Sequence, residues 1–68
     1  MISIYVHPPA WSTRGSRKYT FDVTDVDDAV ELLIERHYWG ARFTPVSAGG
    51  WLTDVDGRPL GDVEIERH

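Results

Sequence analysis

The sequence predicts an α+β domain: a single helix packed on one face of a mainly antiparallel sheet, in the order β-β-α-β-β-β. Three observations carry that prediction. Apolar residues alternate at the start of the chain (Ile2, Ile4, Val6). A helical period with start and stop signals occupies the middle. Short alternating runs punctuated by Pro and Gly fill the remainder. One helix laid on a sheet is the simplest layering that buries every apolar face so arranged.

The first strand spans Ile2–His7, with Ser3, Tyr5 and His7 on its polar side. Pro8-Pro9 ends it, since neither residue can donate to a ladder. A loop follows over Pro8–Ser16, and Trp11 in its middle is expected to fold back over the open end of the sheet. The second strand is expected over Arg17–Val23, with Tyr19, Phe21 and Val23 inward and Lys18, Thr20 and Asp22 outward. Consecutive strands joined by one loop pair most simply as an antiparallel hairpin.

Thr24-Asp25-Val26-Asp27 is a helix start, with Thr24 as the cap and Asp27 reaching back in a short-armed capping box. Asp25, Asp27 and Asp28 complement the positive end of the helix dipole, and Arg36 and His37 the negative end. Gly40 supplies a left-handed stop. The helix is expected over Asp25–Trp39. At ~100° per residue, Val26, Ala29, Val30, Leu33 and His37 share one stripe with Ile34 beside it, opposite Asp28, Glu31 and Glu35. Leu32 and Trp39 project together onto the polar side.

Beyond Gly40, Ala41 and Phe43 alternate with Arg42 and Thr44. Pro45 marks an edge strand or bulge, and Ser47-Ala48-Gly49-Gly50 breaks the pattern. Trp51–Val55 reads as a strand, Asp56-Gly57 as a hairpin turn, and Leu60–Glu66 as the closing strand with Val63 and Ile65 inward. No linker or repeat divides the chain, so residues 1–68 form one domain. The element order resembles small β-grasp (ubiquitin-like) domains, a likeness of topology that assigns no function.

Sixty-eight residues lie near the lower limit for an unstapled domain, and the absence of Cys excludes disulfides and thiolate metal sites. Two Phe, three Tyr and three Trp argue for a packed core rather than disorder. No apolar run approaches the ~20 residues that cross a bilayer, and Met1-Ile2-Ser3-Ile4 lacks a basic leader, which points to a cytoplasmic protein without a membrane partner. The net charge of −4 disfavours non-specific binding to nucleic acid. Six Arg against one Lys, with Asn and Gln absent, fit a GC-rich coding sequence such as that of a bacterium or phage.

Catalytic and metal motifs are missing. His7, His37 and His68 have no ligand spacing, and His37 reads as a core-margin residue. The acidic group Asp25, Asp27, Asp28 and Glu31 is explained by capping and a solvated face. Asp54-Val55-Asp56-Gly57 matches the first positions of a calcium loop, but the twelfth place holds Ile65, so a turn is the better reading. No Ser stands in GxSxG or SxxK, and Gly49-Gly50 precedes neither Lys nor a helix. Neither an enzyme, a cofactor nor a metal is expected.

Two surfaces remain. Leu32, Tyr38, Trp39 and Trp51 are candidates for a partner-binding patch, because exposed aromatic residues are common protein–protein anchors. Trp11, Arg14, Arg17 and Lys18 combine cations with a ring, the recipe for contact with single-stranded nucleic acid. The leading expectation is a non-enzymatic protein–protein interaction module, its acidic surface steering it to a basic partner. Such a module suits a phage or bacterial accessory protein that modulates or inhibits a host factor. Nucleic-acid binding through the 8–18 loop and a structural homodimer are the alternatives.

Overall fold

A computed structural model describes all residues, Met1–His68. Five strands and one helix follow one another as β1 (Ile2–His7), β2 (Arg17–Phe21), α1 (Val26–His37), β3 (Arg42–Val46), β4 (Gly49–Thr53) and β5 (Pro59–Arg67). They form one antiparallel sheet in the order β2-β1-β5-β4-β3. The predicted fold class and element order are those observed. The last strand is the central one, inserted between the two hairpins and paired to β1 from Ile2↔Arg67 to His7↔Asp62.

The alternation in β1 sets the two faces. Ile2, Ile4 and Val6 are buried on the helix side, with Phe21 opposite Ile2 and Val63 opposite Val6. Leu52 from β4 and Ala29, Val30 and Leu33 from α1 complete a core of nine buried side chains. The helix packs on β1 and β2, while Phe43 on β3 is only half-buried.

The helix starts one residue later than the cap expected. Asp25, in extended conformation, accepts a 2.9 Å hydrogen bond from the Asp27 N–H, so Asp25 rather than Thr24 is the N-cap. An Asp side chain at position 27 lacks the reach of the Glu or Gln that closes a capping box. At the other end the helix stops at His37. Tyr38 donates its N–H to Ile34 O, the Ala41 N–H closes a turn on Tyr38 O, and Gly40 adopts φ 83°. The left-handed glycine stop is therefore present, and Trp39 lies beyond the helix.

Leu32, projected onto the polar side, is half-buried against the core, because the sheet covers a wider helical stripe than the inward residues alone define. His37, projected onto the apolar stripe, is exposed at the final turn. Gly49-Gly50 is not a break: both residues belong to β4, and the turn is Ser47-Ala48, between the paired Val46 and Gly49. The next turn is closed by Asp54, whose Oδ1 accepts 2.9 Å hydrogen bonds from the N–H groups of Asp56 and Arg58. That carboxylate serves the turn itself.

Candidate functional site

The β1–β2 loop does not cover the end of the sheet. With the last turn of α1 and the ends of β1 and β5, it lines a cleft of about 650 Å³. Trp11 is not folded into the core; it is 76% exposed and lines this cleft. Val6 and Leu60 contribute from the sheet, Pro8 and Pro9 from the loop, and Arg14, Arg17, Tyr19, His37 and Tyr38 provide the polar groups. The two prolines cannot extend β1, which ends at His7.

Two elements distant in sequence meet at the cleft. The hydroxyls of Tyr19 and Tyr38 lie 3.0 Å apart, their rings meet edge to face at 5.9 Å, and His37 packs on Tyr19 at 4.4 Å between centroids. Partial burial of Tyr38, with the hydrogen bond that its O–H shares with Tyr19, pushes its pKa from 10.0 up to about 12, while Arg17 and Arg14 pull the other way. Tyr38 is accordingly a neutral hydroxyl at physiological pH.

The sign of that shift gives a first prediction. The folded chain holds the Tyr38 proton more tightly than the unfolded chain. Its stabilising contribution is complete below pH 10.0 and is lost as pH rises towards about 12. Ultraviolet titration of the phenolates should show one of the three tyrosines ionising late, and the melting temperature should fall across that window. Tyr19→Phe should move the late step downward. Three tyrosines ionising together would contradict the geometry.

Charge is segregated around this site. Residues 1–21 carry three basic side chains and no acidic one, whereas residues 22–68 carry all 11 acidic residues and four basic ones. The two parts, +3 and −7, make up the net −4. None of the acidic side chains lines the cleft. In an acidic protein, this cleft is therefore lined by two guanidinium groups, an imidazole, two phenols and an indole.

The expected site residues are distributed as follows. Trp11, Arg14 and Arg17 come together at the cleft. Lys18, one residue on in the strand, points to the opposite face and lies 5.6 Å from the Tyr5 ring centroid. Of the four partner-patch candidates, Tyr38 lines the cleft and Leu32 packs against the core. Trp39 is 85% exposed beyond the helix, and Trp51 is 41% exposed on the sheet face away from α1. Those four do not make one continuous patch. Tyr19 and His37 are the cleft residues that strand and helix periodicity assigned to packing.

The face away from the helix holds a second polar arrangement. Ser16 Oγ lies 2.7 Å from His7 Nδ1, and His7 Nε2 lies 3.1 Å from Glu64 Oε1, at ion-pair distance but without an aligned hydrogen bond. Serine, imidazole and carboxylate thus follow in series, as in an acyl-transfer triad. However, Ser16 lines neither this cleft nor the second one near β3, and Glu64 is largely exposed. The groups work as a ladder across the sheet. It continues through Tyr5 to Glu66 (3.3 Å) and from Ser3 to Thr20 (3.0 Å) and His68 (2.8 Å). Ser3 is fully buried beneath it.

Comparison with protein-family models, with curated proteins and with solved structures found no match to this chain. No helix is long and apolar enough to cross a membrane.

Proposed function

We propose that the chain is a small non-enzymatic module that works by binding another protein, and that it does so by taking an acidic segment of that partner into the cleft beside α1. The observation that carries this reading is the lining of the cleft: Arg14, Arg17 and His37 with Trp11, Tyr19 and Tyr38, and no carboxylate. Arg and aromatic side chains supply most of the binding energy at protein interfaces. By contrast, the acidic side chains lie on the outer face of α1, on the open sheet face and in turns. Glu64 and Glu66 there are already engaged with His7, Tyr5 and His68. An accessory role, modulating or inhibiting the protein bound, suits so small a chain.

Net charge sets a limit on how the partner arrives. At a Debye length of ~8 Å, the distant acidic residues are mostly screened, while the cleft's own groups are in contact with the ligand. Affinity therefore rests on short-range contacts, and steering contributes little.

The test is titration of the full chain with a short peptide of alternating Asp, Glu and Gly, followed by tryptophan fluorescence, with Trp11→Phe identifying the reporter. Removing both guanidinium groups (Arg14→Ala with Arg17→Ala) should weaken binding about a hundredfold, since hydrogen bonds to charged groups contribute roughly 1.5–3 kcal/mol each. Trp51→Ala, on the other face, should leave binding unchanged. Tighter binding of oligothymidylate than of the peptide would favour the nucleic-acid reading. With only two cleft cations, its log–log salt slope should then be shallow, about −1.4. A peptide affinity indifferent to both arginines would sink the proposal.

A further inference from the structure

The cleft contains a group of donors with no partner inside the protein. Two hydroxyls 3.0 Å apart share one hydrogen between them, so either Tyr19 or Tyr38 keeps an O–H that points to no acceptor in the protein. Arg14 and Arg17 line the same cleft, and neither forms an ion pair with any of the acidic residues. Guanidinium groups only donate, and a neutral phenol beside them completes a set of donors without a competing carboxylate. What fits such a set is a group made of acceptors.

We propose that the cleft holds an oxyanion subsite at Arg14, Arg17 and the Tyr19–Tyr38 pair, and that its ligand is a phosphate monoester, carried on a phosphorylated side chain of the partner protein. This inference rests on the reading of the cleft as the binding surface and names the group recognised there. Two arguments select phosphoryl over carboxylate. Two guanidinium groups match the charge of about −1.5 to −2 on a phosphate monoester at neutral pH, up to twice that of a carboxylate. Two planar forks and a hydroxyl also offer three directions of donation, which suit three terminal oxygens better than two. Arg is suited to this role because its fork meets phosphate with paired hydrogen bonds, which a Lys point charge does not provide. Trp11 and Pro8 leave apolar surface along the approach for the stem that carries the phosphate.

The second cleft, near β3, does not compete as a site of this kind. Asp27 and Arg67 both line it, so its one cation shares the space with a carboxylate.

The experiment uses the full chain and two matched probes, phenyl phosphate and benzoate, followed by amide and arginine side-chain NMR shifts. Phenyl phosphate should give saturable shifts at Arg14, Arg17 and Tyr38, with benzoate at least tenfold weaker. Arg14→Ala and Arg17→Ala should each weaken the phosphate at least tenfold, Tyr38→Phe severalfold, and Trp39→Ala not at all. Dispersed spectra of each variant verify that it is folded. Arg17→Lys should restore only part of the loss, which distinguishes paired hydrogen bonds from simple charge. Equal binding of the two probes, or shifts centred elsewhere, would overturn the subsite. An acidic peptide that binds the cleft without displacement by phenyl phosphate would overturn it too, yet leave the protein-binding reading standing. Phenyl phosphate bound at these residues with no peptide binding at all would do the reverse.

Discussion

Leu33→Ala is expected to leave the chain at the edge of unfolding at room temperature. Leu33 is 1% exposed, at the centre of the buried stripe of α1, and belongs to the nine-residue core. Buried Leu→Ala changes cost ~2.7–5 kcal/mol, combining lost transfer energy with an unfilled cavity. A 68-residue domain has roughly 3–10 kcal/mol in total, and small single cores lie at the low end of that range. The substitution thus removes most of the stability. In urea, the midpoint should move close to zero denaturant with an unchanged slope. Trp39→Ala, by contrast, touches no core and should shift stability by less than about 0.5 kcal/mol. Comparable losses from the two variants would mean that α1 does not seal the sheet as described.

That contrast also shows what the sequence made legible. Ile2, Ile4 and Val6 announce their face by alternation alone, and Val26, Ala29, Val30 and Leu33 announce theirs by a helical period. Both are local signals, and both survive in the structure. The position of β5 between β1 and β4 is set by which exposed edges can pair once the hairpins exist. No window of residues encodes it. Gly49-Gly50 was misleading for a different reason. Glycine carries no side chain to show periodicity, so two strand residues look like punctuation.

The cleft was half legible. Trp11, Arg14 and Arg17 stand out as a basic and aromatic run, and the lack of any acidic residue before Asp22 was available in the same stretch. Lys18 belongs to that run in sequence but not in space, because strand alternation sends it to the other face. Tyr19 and His37 were hidden because each projects onto the core side of its element, although only Tyr19 packs against the core and His37 is exposed. At the end of the sheet, where the core runs out, that same side becomes the wall of a cleft. Periodicity gives the direction of a side chain and cannot tell whether anything stands above it.

Gly50→Ala is the second change expected to remove most of the stability, and it separates two costs that glycine substitutions usually mix. Gly50 has φ 156°, and a Cβ built there would overlap the Thr44 carbonyl oxygen and approach the Phe43 ring at 2.8 Å. The phenyl ring can swing aside, but the carbonyl belongs to the paired strand β3 and cannot move without breaking the hairpin. Gly57 provides the control. It also has positive φ, at 84°, yet nothing lies within 4 Å of the position a Cβ would take. Gly57→Ala should therefore cost only the left-handed strain, about 1–2 kcal/mol. Gly50→Ala adds the steric conflict, bringing the total to about 4 kcal/mol or more, in the range of severe core overpacking. Truncating Phe43 in the Gly50→Ala background should not restore folding, since the backbone oxygen remains. If Gly50→Ala melts no lower than Gly57→Ala, then β3 and β4 do not approach as closely as their pairing requires.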